Sequence, residues 1–259
     1  MKMAGMTMII ALAAFVLLAV WLSLMLAPRG AHFDEFAVDV APDEPRPFGY
    51  KMAWLAVRTE DTSALAEFLG LKNGGAANWN SGIGTVYDDA LGASYIYITP
   101  PVDGWSFVVG LSLPHPVGPA FADKITPLMQ SLGQRFPDVQ YFFTYPLIDF
   151  FAWARVKDGK LARAFAVNDE GVVWNKGRIT PEERALGLRL FELRGVQERQ
   201  GDTGGELVLY PTEDQVLQIA RCWSLDPTQV ESLETVDGCG VLATSPSAWC
   251  SERRLKKAA

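Results

Sequence analysis

Residues 140–174 read QYFFTYPLIDFFAWARVKDGKLARAFAVNDEGVVW, and the class of fold turns on this stretch. At its centre Asp158-Gly159 is the kind of dipeptide that closes a two-residue type I′ hairpin, in which both central residues take positive φ. Folding the chain about that turn pairs Val156 with Leu161, Ala154 with Arg163 and Ala152 with Phe165. On the opposite face Trp153 then lies against Ala164 and Arg155 against Ala162, so each large side chain has a small one opposite. A second turn at Asn168-Asp169-Glu170-Gly171 returns Val172, Val173 and Trp174 alongside. A three-stranded antiparallel meander is expected.

Working outward, residues 51–58 (KMAWLAVR) read as a strand, and Thr59 opens a helix with Leu65, Phe68 and Leu69 at i, i+3 and i+4. Residues 74–84 read as loop. Residues 94–99 and 105–113 alternate as strands joined by the turn Pro100-Pro101-Val102-Asp103-Gly104. Phe121, Ile125, Leu128, Met129 and Leu132 share a helix face that Pro127 interrupts or restarts. Downstream, Thr180-Pro181-Glu182-Glu183 combines an N-cap, a proline at N1 and a capping-box glutamate. Thr212-Glu213-Asp214-Gln215 repeats the logic ahead of Val216, Ile219, Ala220 and Trp223, and Asp226-Pro227-Thr228-Gln229 starts another helix. The fold class read from this order is α+β: a mixed sheet with helices packed mainly on one face, the β-meander, and a helical C-terminal region. The globular part spans residues 50–245, as one domain or as two α/β halves.

The amino-terminal side is of another kind. From Met6 to Ala27 the chain is apolar except for Thr7 and Ser23. About 22 helical residues reach roughly 33 Å, enough to cross a bilayer's hydrocarbon core. A cleaved signal has a shorter apolar region ending at a small-x-small site, whereas this run exits through Leu26-Ala27-Pro28-Arg29. Residues 1–5 form a short tail, 6–27 a transmembrane anchor, 28–49 a Pro/acid-rich linker, and 246–259 a basic tail with Arg253, Arg254, Lys256 and Lys257. Lys2 ahead of the run keeps the amino terminus inside. The expected setting is a bacterial inner membrane, single-pass, with the domain periplasmic and membrane lipid contacted through the N-terminal helix.

Composition excludes more chemistry than it suggests. With 49% hydrophobic residues the chain can bury a large core. A net charge of −7 argues against a nucleic-acid partner, which needs a basic surface to displace counterions. Only two histidines occur, His32 and His115, so zinc sites and histidine triads have little material. Gly110-Leu111-Ser112 lacks the second glycine of a nucleophile elbow. Asn73-Gly74-Gly75 and Gly82-Ile83-Gly84 lack the spacing of a phosphate-binding loop. No catalytic residue, metal or cofactor is expected. In an oxidising compartment one disulfide is open, Cys239 being free to reach either Cys222 or Cys250, with Cys239–Cys250 the candidate pair; the alternative is three reduced cysteines with Cys222 buried on its helix.

One resemblance adds to this. Thr99-Pro100-Pro101-Val102-Asp103-Gly104-Trp105 followed by Val108-Val109-Gly110, then Tyr141-Phe142-Phe143 with Ala152-Trp153, then residues 159–165 (GKLARAF) and Thr180-Pro181-Glu182-Glu183, resembles an uncharacterised group of bacterial proteins. That group is similar to proteins found beside secreted polymorphic or type VI-type toxins, which are regarded as their immunity proteins. The resemblance covers residues 52–230, omits the anchor and carries no catalytic signature. It implies a membrane-anchored protein that neutralises a cognate toxin by occlusion, and not an enzyme. Candidate partner-binding residues are the acids Asp88, Asp89 and Asp103, the aromatics Trp105 and Trp153, and Arg155. The alternative is an anchored envelope hydrolase using loop carboxylates, Asp88, Asp89 and Asp103 among them. Converging acids in a deep pocket favour the enzyme; an acidic or aromatic surface favours binding.

Overall fold

A computed structural model of the chain describes residues 38–116, 123–169, 171–187 and 211–249. In chain order its strands are β1 (Ala53–Val57), β2 (Gly75–Ala77), β3 (Tyr95–Ile98), β4 (Ser106–Val109), β5 (Asp138–Tyr145), β6 (Phe150–Lys157), β7 (Lys160–Asn168), β8 (Gly171–Gly177) and β9 (Gly240–Thr244). Its helices are α1 (Thr62–Phe68), α2 (Trp79–Tyr87), α3 (Ile125–Arg135), α4 (Pro181–Ala185) and α5 (Glu213–Trp223). All nine strands join one sheet in the order β2-β9-β3-β4-β1-β5-β6-β7-β8, and every pairing is antiparallel.

Strand β1 lies at the centre because its sequence, AWLAV, has no side that tolerates water; all five residues are buried. Trp54 and Ala56 face one core, and Ala53, Leu55 and Val57 face the other. On the first face α2 contributes Trp79, Ile83 and Val86, and α5 contributes Val216, Leu217, Ile219, Ala220 and Trp223. On the second face lie Leu65 of α1 and Ile125, Met129 and Leu132 of α3. The α+β class therefore stands, but the sheet is antiparallel in place of the mixed one expected, and helices cover both of its faces and not mainly one. The C-terminal region is not purely helical either, since β9 returns to pair between β2 and β3.

Residues 74–84, read as loop, contain β2 and most of α2. The glycines hide this helix, and one of them has a specific cause. A Cβ on Gly82 would stand 2.3 Å from the Tyr97 ring, and one on Gly240 would stand 2.6 Å from it. Two glycines thus make room for a fully buried tyrosine, whose hydroxyl donates to Ala77 O at 3.2 Å. Helix α1 begins later than its Thr59 reading, with Asp61 as N-cap accepting from Ala64 N.

The meander forms as expected, with one change of register. Asp158 (φ 47°) and Gly159 (φ 74°) supply the two positive φ values of the turn, and Val156 faces Leu161. Beyond that pair a β-bulge shifts the ladder, so Ala154 faces Ala164, Trp153 faces Phe165 and Arg155 faces Arg163. The extra residue reverses which side of the sheet each later β7 side chain meets. Arg163 and Phe165 consequently share the face of Trp153 instead of the opposite one.

The expected linker also ends early. Residues 38–49 run along the domain, with Phe48 in the first-face core and Pro45 buried. At the other terminus Trp249, placed by sequence in the basic tail, packs against the second-face core. Among the described residues no helix is long and apolar enough to cross a membrane. The run from Met6 to Ala27, Cys250 and the basic side chains of the tail lie outside the described residues.

Candidate functional site

The surface most distinct from ordinary solvated exterior is built where residues 38–50 cross α2. Asp43 caps that helix, accepting from Trp79 N at 2.7 Å and Asn80 N at 2.9 Å, while Asn78 accepts from Ser81 N at 2.9 Å. The positive end of the helix is thereby filled by the protein's own carboxylate. Further along, Arg46 Nη2 donates to Asn80 Oδ1. At the far end Gly49 N donates to the Tyr87 hydroxyl, which donates to Tyr50 O, both at 3.0 Å. The strap is stitched to α2 at its start, middle and end.

Two tyrosines result that are exposed yet held. Tyr50 is 47% exposed and its hydroxyl donates to Asp214 Oδ1 at 3.0 Å. That bond, then burial, raises its pKa above the usual tyrosine value. Tyr87 shows 40% of its surface, but its oxygen is turned inward, and desolvation pushes its pKa up to about 12. Beside them Glu213 accepts from Lys51 N, and its Oε1 lies 2.9 Å from Thr144 Oγ1. The β5–β6 turn, Pro146–Ile148, carries Leu147 and Ile148 exposed at the same end of the sheet, directly after Tyr145.

Along α2 the residues Asn80, Ile83, Gly84 and Tyr87 recur at i, i+3, i+4 and i+7 and form one stripe. With Arg46, Pro47 and Glu231 they line an open cleft of about 400 Å³. Gly84 is its gap: a Cβ there would meet nothing within 4 Å. A glycine inside a helix costs roughly 0.5–1 kcal/mol relative to alanine, and here no neighbour requires it.

The residues singled out by sequence separate into two groups. Asp88 and Asp89 are exposed immediately after Tyr87, and Asp88 Oδ1 closes a turn by accepting from Ala90 N and Leu91 N. Asp103 is exposed in a tight turn (φ 47°), and its carbonyl accepts from Arg58 Nη1. Because Asp88 and Asp89 precede β3 and Asp103 follows its other end, the three acids do not converge. Trp153 is fully buried and Trp105 is 6% exposed, so both belong to the core and offer no contact surface. Arg155 is committed to Asp138, with Nε at 3.1 and 3.2 Å from its two oxygens, and lies over the Trp223 ring.

The remaining candidates are also accounted for by local structure. Ser112 Oγ donates to Tyr95 O at 3.0 Å, and the His115 ring packs against Phe143 and Phe150. Cys222 lies on α5 but is exposed and not buried there, and Cys239 Sγ donates to Val40 O. Among the described residues no group of three His, Cys, Asp or Glu side chains is placed to hold a metal. Sequence reading missed Tyr50, Tyr87, Asp214, Glu231 and Gly84. Only the i, i+3, i+4, i+7 spacing of Asn80, Ile83, Gly84 and Tyr87 could have revealed any of them. Compared with protein-family models, curated proteins and solved structures, the chain matches none.

Proposed function

We propose that this protein is a membrane-anchored binding domain, most concretely an immunity protein that neutralises a cognate secreted bacterial toxin by occlusion. The apolar run from Met6 to Ala27 holds it in the inner membrane with the domain on the periplasmic side. The observation that carries the reading is the pair of hydrogen-bonded, exposed tyrosines, Tyr50 and Tyr87, flanked by the exposed acids Asp88, Asp89 and Asp214. Rigid aromatic rings with a polar tip are what interface hot spots are made of, because little side-chain entropy is lost on contact. The acids give that face a sign, in keeping with the net charge of −7, and select a partner with a basic surface. The face lies at the other end of α2 from Asp39, since Asn78 N at the start of the helix donates to Asp39 O and the Tyr87 hydroxyl at its end donates to Tyr50 O.

The test is co-expression of the full chain with the secreted protein of the adjacent reading frame, scoring host growth and co-purification. Wild type is expected to protect, as are Ser112→Ala and His115→Ala. Asp88→Lys combined with Asp89→Lys should weaken capture about tenfold or more. Absence of capture by wild type, or turnover of an envelope substrate that is lost in Asp88→Ala, would sink the proposal.

A further inference from the structure

We propose that the cleft over Gly84 receives a basic side chain, lysine or arginine, of the partner protein. The inference rests on reading this end of the domain as a protein-binding face. It names what the partner must present there.

Three observations lead to it. The first is Gly84 itself. Its neighbour Gly82 is required by the Tyr97 ring, whereas a side chain at Gly84 would enter open space, so the fold gains nothing from the glycine and loses helix stability by keeping it. What the missing side chain provides is the floor of the cleft. The second is the lining. Pro47, Ile83 and the exposed part of Tyr87 present an apolar wall suited to the methylene stem of a long side chain, and an aromatic ring also attracts a cation. The third is charge. Arg46 is engaged with Asn80, while Glu231 has no ion-pair partner among the described residues, and Asp88 and Asp89 follow directly on Tyr87. Within the lining Arg46 balances Glu231, and the excess negative charge comes from Asp88 and Asp89 just beyond Tyr87; a carboxylate beside the apolar wall of an open cleft suits an ammonium or guanidinium whose stem lies on that wall.

The cleft can be tested without knowing the partner. The purified full chain in detergent is titrated with a fluorescein-labelled Gly-Arg-Gly-Arg-Gly peptide, followed by anisotropy, against peptides carrying glutamate or norleucine in place of arginine. The arginine peptide should bind roughly tenfold more tightly than either control. Gly84→Leu, which fills the cleft, and Glu231→Gln, which removes its charge, should each weaken that binding about tenfold. Neither should lower the unfolding midpoint, and Gly84→Ala should raise it while binding nearly as wild type. Equal binding of the three peptides, no binding of the arginine peptide, or wild-type affinity in Glu231→Gln and in a folded Gly84→Leu overturns the cleft.

Capture of the secreted protein separates this idea from the broader one. Loss of capture in Asp88→Lys/Asp89→Lys with full capture by Gly84→Leu overturns the cleft and keeps the face. Failure of wild type to capture overturns the face.

Discussion

Glu183 was legible as a capping-box residue, and it is one, accepting from Thr180 N at 2.6 Å while Thr180 Oγ1 accepts from Glu183 N at 3.2 Å. It is also completely buried. Its Oε1 accepts from Trp153 Nε1 and Arg163 Nε, both at 2.8 Å, and Arg163 Nη1 goes on to Asn175 Oδ1. Both partners are desolvated, at 3% and 0% side-chain exposure, so removing one leaves an uncompensated charge. Glu183→Gln is expected to cost about 3–5 kcal/mol by urea denaturation, and the double change Arg163→Met/Glu183→Leu less than that. A single-variant loss under about 1 kcal/mol would mean the pair is solvated. Tyr141 is the contrasting case, because its buried hydroxyl has no hydrogen-bond partner among the described residues. Removing an unpaired buried polar group recovers its desolvation penalty, so Tyr141→Phe should stabilise the fold by roughly 1 kcal/mol. A midpoint below wild type would reveal a partner for that oxygen.

At the scale of elements, the β6–β7 hairpin separates what turn chemistry sets from what packing sets. The Asp158-Gly159 turn and the first pair follow from local conformational preference. The bulge does not, and it moves Arg163 onto the face where Glu183 waits. A regular ladder would turn that guanidinium to the second face, beside Ala152 and Ala154 of β6 and away from Glu183. Gly159→Val places a β-branched side chain at φ 74°, with its Cβ 3.0 Å from Gln134 Nε2. The expected loss is about 1–3 kcal/mol, read as a lower denaturation midpoint. An unchanged midpoint would show that the turn tolerates a side chain. Helix α2 teaches the reverse lesson, since its glycines lower helix propensity while its caps, Asp43 and Asn78, and its packing against Tyr97 hold it in place.

For the whole molecule, a sheet covered on both faces buries several phenols, and this sets its response to alkali. Burial pushes Tyr87 to about 12 and raises Tyr97 and Tyr141 further, whereas an unfolded tyrosine titrates near the ordinary value of 10.0. Above pH 10 the unfolded chain releases protons that the folded chain retains. The contribution of these groups is therefore intact below pH 10 and falls as pH rises towards 12. Urea midpoints should drop across that window, and Tyr141→Phe should drop less steeply than wild type. Parallel curves for the two proteins would contradict the burial of that phenol.

Read alone, the sequence determined what depends on near neighbours along the chain. The apolar run from Met6 to Ala27, the Asp158-Gly159 turn, the capping boxes at Thr180 and Thr212, and the buried stripe of α5 are all written within a few residues. Tertiary structure decided what depends on partners far apart. It placed helices on both faces, brought β9 back between β2 and β3, drew residues 38–49 onto α2, buried Trp105 and Trp153, and paired the partly exposed Arg155 with Asp138. The candidate face was illegible because Tyr50, Tyr87 and Asp214 lie far apart along the chain and meet only when the strap crosses α2. A polar residue's exposure is fixed by what packs over it, and one-dimensional patterning does not encode that when both faces of a sheet are covered.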